Sequence, residues 1–373
     1  MHRRAIWICS FIFILCALIF AIYYLAYARF HESTDDSYVN GNMIMLTPQI
    51  SGIVTTILAD NTQLVEVGQP LIELDKHDYE IDLQKAKADL AETVRDVCSM
   101  FIKVQELEAK KKSAQADLLR AKLDYQHRKA LVVDASVSRE DFEHSQTTLS
   151  SAFAYLKEVE QELGSAIAKV DQTTVETHPL VEQQKSALRS AFLALHRCTV
   201  RSPARAIVTQ RKAQVGQWVS ASSALLSLVP LDQIWVDANY REVSLKNLRI
   251  GQPVELFSDM YGRFKKFHGK VVGLNPGTGS VFSVLPPQNA TGNWIKIVQR
   301  VPVKIALNPD ELKTHPLVLG LSMTAKINTH SRAGLQLPTL SPSTPNYSTD
   351  VYADELTGVD AMIDEIVQAN MYE

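Results

Sequence analysis

The chain has 373 residues, 46% hydrophobic and 21% charged, with 15 Gly, 15 Pro and a formal net charge of −3. That length predicts two or three domains, and the composition excludes a disordered or collagen-like chain. Residues 333–373 hold seven acidic groups and no Lys or Arg, so the rest is only weakly basic, which argues against a nucleic-acid partner.

Residues Ala5 to Ala28 carry no charged side chain. As a helix they reach roughly 36 Å, enough for a bilayer core of about 30 Å. Arg3 and Arg4 precede the run, which places that end in the cytoplasm, and Tyr23, Tyr24 and Tyr27 suit the far interface. Ala26-Tyr27-Ala28 resembles a signal-peptide cleavage site, but the run exceeds the roughly 7–15 apolar residues of such a segment. Phe13-Ile14-Leu15 lacks the small residue that a lipoprotein needs before Cys16. Residues 1–30 therefore read as a cytoplasmic stub and a single uncleaved anchor, with the bulk of the chain exported. Residues 31–46 read as a linker with the first barrel-associated strand.

Next comes one half of an internal repeat, over residues 47–75. It contains Thr47-Pro48-Gln49-Ile50-Ser51-Gly52-Ile53-Val54, then Val67-Gly68-Gln69-Pro70-Leu71-Ile72-Glu73-Leu74. The second half, over 197–230, contains Ser202-Pro203-Ala204-Arg205-Ala206-Ile207-Val208, then Val215-Gly216-Gln217-Trp218-Val219. Each half has a Pro, a turn, a β-branched run, a Val-Gly-Gln turn and a further apolar strand. Together they look like a biotinyl or lipoyl carrier domain cut in two. A true carrier presents one modifiable Lys on a tight hairpin between the halves. Here Lys76 merely sits at the root of a long insert, so no covalent cofactor is expected.

That insert, residues 76–196, must leave and return to one place. Leu90, Val94, Val97, Phe101 and Val104 alternate steps of four and three, as do Leu149, Ala152, Leu156, Val159, Leu163, Ala166 and Val170. The narrow seam between polar flanks predicts an antiparallel coiled-coil hairpin rather than two globular-core helices. The seam slips near Lys110-Lys111-Lys112. The turn falls near 131–138, where Ser138-Arg139-Glu140-Asp141 resembles a capping box. The outgoing helix then has about 50 residues and reaches on the order of 75–80 Å. Thr173-Thr174-Val175 and His178-Pro179 predict a kink or break in the returning arm. Cys98 falls about 30 Å up the hairpin from Cys198, too far for a disulfide, whose Cα atoms lie within about 7 Å.

From 231 to 330, short apolar runs at Ile234–Val236, Pro253–Leu256, Lys270–Gly273, Ile295–Val298, Val301–Ile305 and Met323–Ile327 predict a small β-barrel. A long irregular segment, 275–293, carries Phe282, Val284, Leu285, Pro286, Pro287 and Asn289. Its apolar tip suggests a transporter- or membrane-facing loop; the alternative is that it folds back on the barrel. Residues 331–373 read as a flexible acidic tail, with a short helix fitting Asp360 to Ala369.

No residues form a catalytic set, and no Gly-rich phosphate loop follows a strand. His127 and His144 read as solvated helix residues rather than metal ligands, and the Cys pattern offers no metal site. The expectation is a non-enzyme without cofactor or metal. The fold class is multidomain α+β: transmembrane helix, split lipoyl/biotinyl-like β-domain, long coiled-coil α-hairpin and small β-barrel.

Three longer blocks carry a family resemblance: Thr34-Asp35-Asp36-Ser37-Tyr38-Val39-Asn40-Gly41-Asn42, Val229-Pro230-Leu231-Asp232-Gln233-Ile234-Trp235-Val236-Asp237-Ala238-Asn239, and Leu285-Pro286-Pro287-Gln288-Asn289-Ala290-Thr291-Gly292-Asn293-Trp294. With the domain order, they make residues 1–330 resemble the HlyD family of periplasmic membrane fusion (adaptor) proteins, closest to the EmrA type. The resemblance implies an inner-membrane major-facilitator drug exporter as one partner and an outer-membrane TolC-like channel as the other. It also implies a homo-oligomeric ring of three or six copies, anchored in inner-membrane lipid, for export of small amphipathic compounds. The tip pattern Arg-x-x-Leu-x6-Ser falls on Arg128, Leu131 and Ser138 as channel-docking residues. The family's Ser-Pro-x-Asp-Gly departs here to Arg205-Ala206, which puts the local turn in question. An adaptor of an ABC-driven type I protein secretion system is the alternative.

Overall fold

The computed structural model describes residues 2–132, 137–262, 264–279, 281, 298–337 and 345–371. In chain order the elements are α1 (His2–Ala26), β1 (His31–Gly41), β2 (Ile44–Leu46), β3 (Gly52–Ile57), β4 (Leu64–Val65) and β5 (Pro70–Leu74). The insert gives α2 (His77–Val132), α3 (Arg139–Val170) and α4 (Pro179–His196). There follow β6 (Thr199–Arg201), β7 (Ala206–Thr209), β8 (Trp218–Val219), β9 (Leu226–Val229), β10 (Ile234–Arg241), β11 (Pro253–Ser258) and β12 (Lys266–Leu274). The chain ends with β13 (Arg300–Leu307), α5 (Pro309–Thr314), β14 (Ser322–Asn328) and α6 (Val359–Asn370). It divides into two compact units, Met1–Ile72 with Arg201–Val351 and Glu73–Val200 with Tyr352–Glu373.

In the first unit, α1 leads into an apolar stretch, Phe11–Phe30, with mean hydropathy 2.4 and no buried share. By length and composition it can cross a membrane. Past it, β1 closes a barrel of order β1-β10-β13-β12-β11-β14. Alternation decides which side chains fill it: Ile234, Val236, Ala238 and Tyr240 point inward from β10 and are buried. Phe267, Leu256, Ile305 and Ile327 meet them in the same core. The buried Tyr240 hydroxyl donates to the Ala325 carbonyl at 3.0 Å, and burial pushes its pKa up, so the donor stays protonated. The sequence places a strand at Ile295–Val298, where residues 295–297 lie outside the described residues. Gly269 is required by close approach: a Cβ there would stand 2.6 Å from the Ala306 carbonyl oxygen across the sheet.

The two repeat halves complete each other. One sheet runs β2-β9-β7-β4 and the other β6-β5-β3-β8, so each mixes strands from both halves. Exchanging the halves, β2 with β6, β3 with β7, β4 with β8 and β5 with β9, converts one order into the other. The repeated turn has one design. Gln69 N–H donates to the Glu66 carbonyl at 3.2 Å, while its side-chain oxygen accepts from Glu66 N–H at 3.0 Å. Gln217 does the same to Gln214 at 3.1 and 3.0 Å. Gly68 and Gly216 sit between at φ +76° and +81°, which only glycine adopts without strain. Ala206, in contrast, starts β7 without a positive φ. The departure from Gly at that position therefore costs no backbone strain.

In the second unit, α2 has 56 residues and so rises roughly 84 Å, somewhat more than the sequence suggested. Asp75 starts it, accepting from His77 N–H at 3.1 Å. The His77 ring bonds the same carboxylate and holds it below the usual carboxylate range. The insert's ends meet as its logic requires: Leu74 N–H donates to the Cys198 carbonyl at 2.8 Å. The seam is real, with Leu90, Val94, Val97, Val159, Leu163 and Val170 buried. At its slip Leu107 is buried a step of three beyond Val104, and a further step of four puts Lys111 on the seam. Lys110 and Lys111 then cross to the opposite arm, reaching Glu162 at 2.9 Å and Glu160 at 3.2 Å. The returning arm breaks between α3 and α4, as its Thr run and His-Pro pair predict.

The tail requires a correction. Rather than remaining flexible throughout, α6 packs Val359, Ile363 and Val367 against Leu83, Leu90 and Val94 of α2 and Val181 and Leu188 of α4. Their spacing puts the three on one helix face, and burying it outweighs the polar composition that suggested disorder. Residues 338–344, 372 and 373 lie outside the described residues.

Replacing Gly269 with Ala should lower barrel stability by about 1–3 kcal/mol in chemical denaturation, because a backbone oxygen cannot step aside. Cys198 is buried and its thiol is pushed up to about 11 by that burial. At pH 8 about one such thiol in a thousand is ionised, so alkylation mapped by mass spectrometry should spare Cys198 until the chain unfolds.

Candidate docking site at the hairpin tip

The last turns of α2 and the first of α3 form the described part of the tip; residues 133–136 lie outside the described residues. Ser138 caps α3: its Oγ accepts from Asp141 N–H at 3.1 Å and donates to the Asp141 carboxylate at 2.7 Å. This fills an otherwise orphan donor and puts an acid at the positive helix end. Across the tip, Arg128 donates to the Asp141 carbonyl at 3.1 Å and lies 3.3 Å from Asp124 one turn back. Arg128 and Ser138 thus meet through a shared partner, Asp141. Leu131 makes no part of this network and is 45% exposed, an apolar side chain in the last turn of α2.

Below the network, Tyr125 of α2 stacks on Phe142 of α3, ring centroids 5.4 Å apart. Leu118, Lys122 and Tyr125 on one arm and Gln146, Leu149, Ser150 and Phe153 on the other line a groove of about 580 Å³. Leu119, Leu123 and Phe153 stay exposed around it. His127 and His144 are exposed helix residues. Sequence reasoning missed Asp141 as the shared partner and the Tyr125–Phe142 stack. The capping-box pattern carried a signal for the first. The second needed the register between the two arms.

The other predicted site, Phe282, Leu285, Pro286, Pro287 and Asn289, lies outside the described residues, although the flanking Val281 and Val298 are exposed. Among the described residues no group of three or more His, Cys, Asp or Glu could hold a metal ion.

A family profile described as the EmrA alpha-helical hairpin domain matches residues 77–198, the insert as the fold delimits it. The multidrug export protein EmrA of Escherichia coli K12 is 40% identical over 354 residues, 95% of this chain and 91% of its own. The probable multidrug resistance protein EmrK of the same organism is 40% identical over 341 residues, 91% of this chain and 88% of its own. The fatty acid resistance protein FarA of Neisseria gonorrhoeae is 39% identical over 335 residues, 90% of this chain and 84% of its own. At this identity and coverage, the chain belongs to the EmrA-like family of membrane fusion proteins, non-enzymatic adaptors of multidrug export.

Proposed function

We propose that this chain is the periplasmic adaptor of a tripartite efflux pump. It joins an inner-membrane major-facilitator exporter to an outer-membrane TolC-like channel. The carrying observation is the tip, where Arg128, Asp141 and Ser138 tie the two arms together and Leu131 is 45% exposed. A rod of this length with a hydrogen-bonded, partly apolar end suits docking on a second helical surface. The apolar stretch Phe11–Phe30 anchors the chain in the inner membrane, with Arg3 and Arg4 on the cytoplasmic side. A thin hairpin buries only its seam, which favours lateral packing of three or six copies into a ring. The proposed contact with the transporter or the membrane is the segment of Phe282, Leu285, Pro286, Pro287 and Asn289. The cargo is small and amphipathic; relatives named for multidrug export and for fatty acid resistance support that class.

Deleting residues 128–138 should abolish export of an amphipathic dye from cells while the inner-membrane partner still co-purifies. The single changes Arg128→Ala and Leu131→Ala should each weaken crosslinking to the channel by roughly tenfold or less, about 1.4 kcal/mol. Unchanged export after the deletion would refute the docking role. Capture of an ATP-driven transporter from crosslinked membranes would replace the major-facilitator partner with the secretion-type one.

A further inference from the structure

The returning arm has a hinge, and the C-terminal helix lies on one side of it. Between Asp171 and His178 the helical hydrogen-bond ladder is interrupted, and Gln172 takes a left-handed φ of +56°. Local bonds bridge the gap. The buried His178 ring bonds the Lys169 carbonyl through Nε2 at 3.0 Å and accepts from Leu180 N–H through Nδ1 at 3.3 Å. Thr174 and Thr177 exchange bonds between their hydroxyls and backbones. These bonds, with Val175 packed partly buried against the cluster below, replace the continuous ladder across the gap.

Below the gap, α4 is held from two sides. Its Val181 and Leu188 enter a cluster with Leu83, Leu90, Val94 and Val97 of α2, and Val359, Ile363 and Val367 of α6 close that cluster. Two ion pairs tie α6 and its lead-in directly to α4. Arg189 donates to Asp360 from Nε at 3.0 Å and from Nη2 at 2.8 Å, and Arg197 donates to Glu355 at 3.2 Å. Glu355 is buried. By itself α6 is a weak helix. It has 12 residues, Gly358 at its start offers no side-chain cap, and isolated helices of that length are marginal in water. Its helical state therefore draws on the packing of Val359, Ile363 and Val367 in this groove.

We propose that α6 is a releasable latch on the hinge: docked, it fixes α4 against α2 and so sets the direction of α3; undocked, it frees the returning arm to bend at 171–178. Both states are built from groups already present, the apolar face of α6, Arg189 on α4 and Arg197 just past its end. The latch concerns the hairpin alone and holds whichever partners the tip meets.

Spin labels on the exposed positions 165 in α3 and 187 in α4 read the hinge in the full-length chain in detergent. Labels at 113 and 161, on α2 and α3 above the gap, serve as a control. The full chain should give one narrow distance distribution for each pair. Removing residues 350–373, or changing Ile363→Asp, should widen the 165–187 distribution about twofold and leave 113–161 unchanged. Arg189→Asp should widen it less, and R189D with D360R should restore the narrow distribution, which a general loss of folding would not do. An unchanged 165–187 width after truncation overturns the latch. Equal broadening of both pairs overturns it as well, by making α6 a general folding element.

Discussion

One backbone hydrogen bond marks the constraint on which the molecule depends: the Leu74 amide meets the Cys198 carbonyl across an insert of more than a hundred residues. Strands on either side of the insert must pair for the β-domain to exist, so the insert can only be something that returns to its origin. An antiparallel helical hairpin meets that demand with local contacts in each arm and one seam between them. Asp75, pulled below the usual carboxylate range by His77, opens α2 beside this junction, and the buried Cys198 closes the return. Both the length of the rod and the position of its tip follow from where this crossing lies.

The split domain tolerates interruption because its halves are equivalent. Each sheet takes strands from both, and each half carries the same glutamine-closed turn about a left-handed glycine. The barrel uses that turn again: Gln252 accepts from Arg249 N–H at 2.9 Å beside Gly251 at φ +89°. A local device of four residues thus sets the chain reversal at the same place in each half. Polarity is then concentrated where the rod needs it. The lysines at the seam slip carry their charges to the opposite arm, and the Glu162 partner raises the Lys110 pKa.

Much of this was legible in order along the chain. The anchor-length apolar run, the Val-Gly-Gln repeat, the four-three seam, the capping box at Ser138 and the Thr and His-Pro interruption are local patterns, each imposed by sterics or periodicity within a few residues. The tip site was legible in part: Arg128 and Ser138 stand in the sequence, but their union through Asp141 depends on how α2 and α3 are aligned. In the tail the helix at Asp360 to Ala369 was legible but its packing was not, because composition speaks for the isolated segment. A 12-residue helix is marginal in water, yet its buried face of Val359, Ile363 and Val367 packs against two other helices.

By itself the sequence determined the kinds of element, their order, the place of the hairpin's turn and the membership of an adaptor family, since these rest on short-range patterns and on the blocks that carry the resemblance. Only the tertiary structure decided that β1 closes the barrel through β10 and β14, that Ala206 carries no strain, that Lys111 takes a seam position, and that the C-terminal helix covers α2 and α4. Each of those depends on which distant surfaces come together. Burial there yields free energy that no residue can express alone.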